Sequence, residues 1–136
     1  MTEYVLDTSA LLTLFKDEKG AQEVEEILKA CRDGRARAYL PFMSLMEFEY
    51  MSLRDRGRTA VEEALRVLLA WPVERIESTP EWGRRAAAVK SRGRLSMADA
   101  WNSALALMLG AELVHKDPEF DQVQGLKQRR LPYKKP

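Results

Sequence analysis

The sequence predicts one α/β domain built on a mainly parallel sheet of four or five strands. Three observations lead there. Short apolar runs at residues 4–6, 36–40 and 112–115 have the length of buried strands. Segments with helical spacing lie between them, which is the pattern of β-α-β units. The chain has 136 residues, 46% of them apolar and 32% charged, the size of a single domain. Such a domain buries about two-thirds of the surface that its unfolded chain exposes.

Each element has a local reason. Tyr4, Val5 and Leu6 make a strand that ends at Asp7, and Thr8 and Ser9 open an apolar helical turn over residues 10–15. Ala21, Val24, Ile27, Leu28 and Cys31 recur at helical spacing until Asp33 and Gly34 stop them. Residues 36–40 form a second strand closed by Pro41. Ser44 then opens a helix with Leu45, Met46, Phe48, Tyr50 and Met51, ending near Gly57. Thr59 opens the next, with Val61, Ala64, Leu65, Leu68 and Leu69 on one face. Residues 72–76 alternate but carry little apolar content, a weak strand. Pro80 suits the first position of a helix reaching about Ser91. Residues 97–109 are nearly all apolar, so that helix is buried on most sides, and Gly110 ends it. A strand at residues 112–115 runs out to Asp117 and Pro118, and a weak one at 126–131 closes the domain. The expected boundaries are therefore a domain at residues 1–131 and a basic tail at 132–136.

Composition narrows the chemistry. Twenty-two Lys and Arg against 21 Asp and Glu leave a net charge of +1, which excludes a polyanion binder working by bulk charge. One cysteine, Cys31, excludes an internal disulfide and a multi-cysteine zinc site. One histidine, His115, gives a His-rich metal site or Ser-His-Asp chemistry little to build on. No apolar run approaches the ~18 residues of a membrane span. The first residues lack the basic region of a secretion signal, so a soluble, cytoplasmic protein is expected. Its chemistry must rest on carboxylates.

Four carboxylates stand out. Asp7 and Asp117 follow strands directly, where open parallel sheets bind their ligands. Glu47 and Asp99 fall in the first turns of predicted helices, which start on the same sheet edge. Acids that converge need neutralising, and hard oxygen donors without His or Cys suit Mg²⁺ or Mn²⁺. Such ions serve phosphodiester hydrolysis by activating water and stabilising the leaving oxygen. A structural reading competes. Ser44 with Glu47 and Ser96 with Asp99 both fit a capping box, as do Thr59 with Glu62 and Ser78 with Glu81. Asp7 and Asp117 also suit turns that end strands. Against that stands context: Asp99 opens the most apolar helix in the chain, where an unpaired charge is costly.

At these residues the sequence resembles a PIN domain, and within that superfamily the VapC-type toxins and their archaeal relatives. The matching fragments are Tyr4-Val5-Leu6-Asp7-Thr8-Ser9-Ala10; Pro41, Ser44 and Glu47; Leu95-Ser96-Met97-Ala98-Asp99-Ala100; and Gly110 to Val114 followed by Asp117-Pro118-Glu119-Phe120. They occur in order across essentially the whole chain. The resemblance implies a three-layer α/β/α domain and a metal-dependent endoribonuclease in which Asp7, Glu47, Asp99 and Asp117 hold Mg²⁺ or Mn²⁺. It also implies support of the first acid by Thr8 or Ser9, either of which could equally cap a helix. An antitoxin partner, a homodimer and the toxin half of a type II toxin–antitoxin pair follow from the same likeness. Two rivals are a PIN nuclease of RNA processing without an antitoxin, and a non-catalytic RNA- or protein-binding module on the same fold.

The sequence departs from the family at His115, where Thr or Ser commonly stands two positions before the last acid. That imidazole would replace the hydroxyl, add a nitrogen ligand, or point into the core. Asp121 is a possible fifth acid that is expected to face solvent, and Glu49 is a rival to Glu47 on the other side of the helix. Two acid-free basic runs offer RNA contacts. One holds Arg84, Arg85, Lys90, Arg92 and Arg94; the other holds Lys127, Arg129, Arg130, Lys134 and Lys135, and Lys116 joins the candidates. Solvated faces explain both runs equally well. Trp71 and Trp101 suit core positions, with Trp82 open between the core and a base-stacking role.

Overall fold

Five parallel strands carry the molecule: β1 (Thr2–Leu6), β2 (Ala36–Pro41), β3 (Glu74–Ile76), β4 (Glu112–His115) and β5 (Gln128–Arg130), in the order β3-β2-β1-β4-β5. The computed structural model describes residues 1–133, so Lys134 and Lys135 of the basic tail lie outside the described residues. Six helices connect the strands: α1 (Thr8–Phe15), α2 (Ala21–Arg32), α3 (Phe42–Arg56), α4 (Arg58–Leu69), α5 (Pro80–Ser91) and α6 (Met97–Leu109). A short 3-10 helix, Pro118–Gln122, joins β4 to β5.

Alternation along the strands sorts the side chains into two cores. Leu6, Ala38, Leu40 and Val114 pack with α1, α2, α3 and α4 on one side. Val5, Tyr39 and Leu113 pack with α5 and α6 on the other. The result is the three-layer α/β/α arrangement. Fully buried strands of this kind read as near-continuous apolar runs, which is why β1 and β4 were visible in the sequence.

Two differences from the sequence reading bear on the site. Helix α3 begins at Phe42 rather than Ser44, with Pro41 as its N-cap. The 3-10 helix after Asp117 was not foreseen; a short stretch of Pro, Glu, Phe, Asp and Gln has no period to reveal it. Gly110 closes α6 with φ 65°, the left-handed turn that lets the chain drop straight into β4. Among the described residues no helix is long and apolar enough to cross a membrane.

β1 sits between β2 and β4, and the chain leaves it toward β2 before it later returns on the β4 side. The carboxyl end of β1 is therefore the switch point of the sheet, where α/β proteins open a crevice for ligands. Asp7 stands there.

Candidate active site

Asp7 follows β1 directly and is the N-cap of α1. It is buried, and each carboxylate oxygen has a donor. The Ser9 backbone N–H donates to Oδ2 at 3.1 Å, and the Ser9 hydroxyl donates to the same oxygen. Asn102 Nδ2 donates to Oδ1 at 2.9 Å. Three donors satisfy the oxygens of this buried carboxyl group. Of the two hydroxyls after Asp7, Ser9 is the one that supports it. The Thr8 hydroxyl is buried without a protein partner. Ser9 Oγ also accepts from the Lys116 backbone N–H at 3.0 Å, which ties the exit of β4 to the exit of β1.

Asp99 lies in the first turn of α6, whose N-cap Ser96 accepts from the Asp99 backbone N–H at 3.1 Å. Its carboxyl is pushed up from 3.8 to about 8. Burial is the largest cause, followed by the charges of Asp7, Asp117 and Glu47, while the Ser96 hydrogen bond opposes them. Three acids from three separate segments thus act on a fourth. Glu47 is the member of the Glu47/Glu49 pair whose charge reaches Asp99.

Ser96 caps its helix through its hydroxyl, while Ser44, Thr59 and Ser78 are not N-caps. Ser44 lies inside α3 and donates its hydroxyl to the Leu6 carbonyl at 2.8 Å, so Glu47 is not a capping partner. Gly57 caps α4 in place of Thr59, and Thr79 caps α5 in place of Ser78.

His115 is fully buried with both ring nitrogens engaged. Nδ1 accepts from the Asp117 backbone N–H at 2.9 Å, so Nε2 carries the proton and donates to Gln128 Oε1 at 2.8 Å. Burial lowers its pKa, against the pull of Gln128, Asp7 and Asp117, and keeps the ring neutral. His115 is therefore a core residue that holds the backbone of the last acid; it has no nitrogen to spare for a metal. Asp117 Oδ1 accepts from the Glu119 backbone N–H at 2.9 Å and caps the 3-10 helix.

Lys116 corrects an expectation. Its ammonium turns inward, 2.7 Å from the Lys19 carbonyl and 3.4 Å from Glu18 Oε1, and its side chain is only 7% exposed. It braces the loop after α1 instead of reaching for a phosphate. Asp121 is exposed and paired with Arg130, which holds its carboxyl below the usual range. Arg85 pairs with Glu81 at 3.5 Å and Arg129 with Glu23 at 3.6 Å, while Arg84, Arg92 and Arg94 are exposed. Trp82 is buried, its indole N–H donating to the Trp101 carbonyl at 2.8 Å with the two rings edge to face, so it belongs to the core.

Among the described residues no three His, Cys, Asp or Glu side chains form a ready-made ligand cage. Mg²⁺ does not need one, because it keeps several waters and takes only one or two carboxylates directly. The donors are hard oxygens, and the repulsion recorded at Asp99 is what a cation removes. In donor chemistry, though not as a three-residue cage, these acids suit a small divalent ion.

Two polar residues at the site escaped the sequence. Asn102 is one. Gln122 is the other: its Oε1 accepts from the Arg94 backbone N–H at 2.8 Å and its Nε2 donates to the Glu119 carbonyl at 3.0 Å. It fastens the loop before α6 to the turn after Asp117. Gly93 makes room for this contact, because a Cβ there would stand 2.8 Å from Gln122 Oε1.

The sequence model of the PIN domain family matches residues 4–126. No curated protein matches the sequence. Among solved structures, VapBC2 from Rickettsia felis, bound to a DNA fragment from its promoter, aligns with a TM-score of 0.79 at 14% identity, over 96% of this chain and 100% of that one. VapC20 from Mycobacterium tuberculosis, described as a toxin that cleaves the sarcin-ricin loop, aligns with a TM-score of 0.73 at 18% identity, over 93% and 98%. VapBC-1 from nontypeable Haemophilus influenzae aligns with a TM-score of 0.70 at 22% identity, over 95% and 98%. At these identities the likeness is one of fold.

Proposed function

The chain belongs to the PIN domain family, and from that premise we propose that it is a Mg²⁺- or Mn²⁺-dependent endoribonuclease, the toxin of a type II toxin–antitoxin pair. One observation carries the reading. The charges of Asp7, Glu47 and Asp117 all raise the Asp99 carboxyl, and Asp7 stands at the switch point of the sheet.

In this reading Asp7, Glu47, Asp99 and Asp117 hold the ion. A bound divalent ion activates the attacking water and stabilises the leaving oxygen of the phosphodiester. The chain's own residues prepare the place. Ser9 and Asn102 hold Asp7 with its oxygens turned by fixed donors. His115 fixes the backbone of Asp117. Asp99, its carboxyl raised to about 8 by burial and the neighbouring acids, holds a proton at neutral pH in the metal-free chain and would be a ligand for the ion. Exposed Arg84, Arg92 and Arg94 guide the phosphate backbone, with Arg92 and Arg94 in the loop that leads into α6. Exposed apolar side chains on α3 and α4, among them Met46, Tyr50, Val67 and Leu69, suit a protein partner and a second copy of the chain.

The test is cleavage of a structured RNA by the purified chain in Mg²⁺, in Mn²⁺ and in EDTA. Cleavage in both metals and none in EDTA is expected; cleavage untouched by EDTA overturns the metal-dependent reading. A small protein encoded directly upstream that suppresses cleavage supports the toxin. Its absence points to a nuclease of RNA processing.

A further inference from the structure

Asn102 does not fit the helix it occupies. α6 is Ala- and Leu-rich, and Asn102 lies in its middle with no exposed surface. A carboxamide buried there without partners is costly. Its Nδ2 resolves most of that cost by reaching two distant elements. One bond goes to Asp7 Oδ1 at 2.9 Å, 95 residues away, and one to Ser44 Oγ at 3.0 Å, 58 residues away. Ser44 Oγ passes its own hydrogen to the Leu6 carbonyl at 2.8 Å, at the end of the strand that carries Asp7. The orientation of the amide follows from charge: a carbonyl oxygen turned to Asp7 would face a carboxylate, so the NH₂ group must take that side. The amide oxygen is left with no protein partner.

The spacing gives this chain of bonds a purpose. Asn102 lies one turn beyond Asp99 on α6, and Ser44 lies one turn before Glu47 on α3. Each helix that brings an acid to the cleft therefore also brings a buried polar residue on the same face. The two polar residues meet beneath the acids, and Asp7 is bonded to that meeting point. A core without such bonds would let α3, α6 and the end of β1 slide independently.

Resting on the metal-binding reading above, we infer that Asn102 is a positioning residue: through its NH₂ group it fixes the Asp7 carboxylate, and it locks α6 to α3 beneath the cleft. It touches neither RNA nor ion. Partners that orient a metal ligand typically contribute 10- to 100-fold in metal affinity.

Asn102→Leu tests this, because leucine has a similar branched shape and removes the NH₂ donor together with an amide oxygen that has no protein partner. Mn²⁺ affinity is measured by calorimetry for the wild type, Asn102→Leu, Asp7→Ala and the double variant. Thermal midpoints of all four are measured in EDTA. The expected result is a Mn²⁺ affinity about tenfold or more lower in Asn102→Leu, and no further loss when the same change is made beside Asp7→Ala. In EDTA, Asn102→Leu should lower the midpoint in the wild type and spare or raise it in Asp7→Ala, where no carboxylate remains to be held. Wild-type affinity in a folded Asn102→Leu variant overturns the inference, since it leaves Asn102 a packing residue. If the wild type binds no Mn²⁺, the metal reading fails, and the EDTA cycle decides Asn102 alone: additive midpoints overturn its role, coupled ones sustain its hold on Asp7.

Discussion

Asp99→Asn should make the metal-free protein more stable. The carboxyl of Asp99 rises from 3.8 to about 8 because it is buried and because Asp7, Asp117 and Glu47 face it with like charge. A raised acid favours the fold fully below the pKa it has in the unfolded chain, and that contribution is lost as pH climbs toward the folded value. Metal-free stability should therefore fall between about pH 4 and pH 8. At 1.36 kcal/mol per unit, the rise from 3.8 to about 8 sets a ceiling of ~6 kcal/mol on the whole loss, most of it accrued by neutral pH. The carboxamide recovers only part, because it is still half-buried and its neutral oxygen accepts from the Ser96 hydroxyl less strongly than a carboxylate does. A gain of about 1–3 kcal/mol at pH 7 remains, or several degrees in Tm. The assay is thermal unfolding in EDTA from pH 5 to pH 8.5, for wild type and variant. The wild type should lose Tm across that range more steeply than the variant. Adding Mg²⁺ should reverse the order, since an ion stabilises only the protein that binds it. If Asp99 is merely a helix-start acid, its loss costs roughly 0.3–1 kcal/mol. A variant that is less stable than the wild type at pH 7 in EDTA, with parallel pH profiles, refutes the carboxylate cluster.

Other consequences follow from single contacts. His115→Phe leaves the Asp117 backbone N–H without its acceptor and should destabilise by about 1–3 kcal/mol in urea unfolding; an unchanged midpoint would show that the ring does not hold that loop. Gly93→Ala drives a Cβ to 2.8 Å from Gln122 Oε1. The flexible amide can move aside, so the loss should be that of one hydrogen bond, about 1 kcal/mol, and should vanish in a Gln122→Ala background. Arg84→Ala and Arg92→Ala should each weaken RNA binding and flatten its salt dependence, read by fluorescence anisotropy against ionic strength. An unchanged salt slope in both would remove this surface from the RNA path.

The fold was legible because its signals are local. β1 and β4 are short apolar runs that end in an acid, and α5 and α6 have a proline, a serine cap and a glycine to mark them, so their bounds were read as they stand. The start of α3 was misread because Ser44 looks like a cap in one dimension. In three dimensions its hydroxyl serves the Leu6 carbonyl, and Pro41 enters the helix without a side-chain cap. The placement of Asp7, Asp99 and Asp117 was legible for a related reason, since a strand end or a helix start is itself a position in the sheet, whereas Glu47 lies in the second turn of α3. What supports them was not. Asn102 reads as a blemish in an apolar helix, since its partners lie 95 and 58 residues away. Lys116 read as a candidate RNA contact, and only the fold turns it toward Lys19 and Glu18. The net charge of +1 averages over this arrangement. It hides acids gathered in one cleft and arginines divided between exposed positions and surface ion pairs.

The most direct test of the metal-dependent nuclease is RNA cleavage by the wild type, Asp7→Asn and Asp117→Asn at equal concentrations of folded protein, in Mg²⁺ and in EDTA. Cleavage by the wild type in Mg²⁺ alone, with neither variant active in either condition, is the predicted result. Full activity in either folded variant would contradict it.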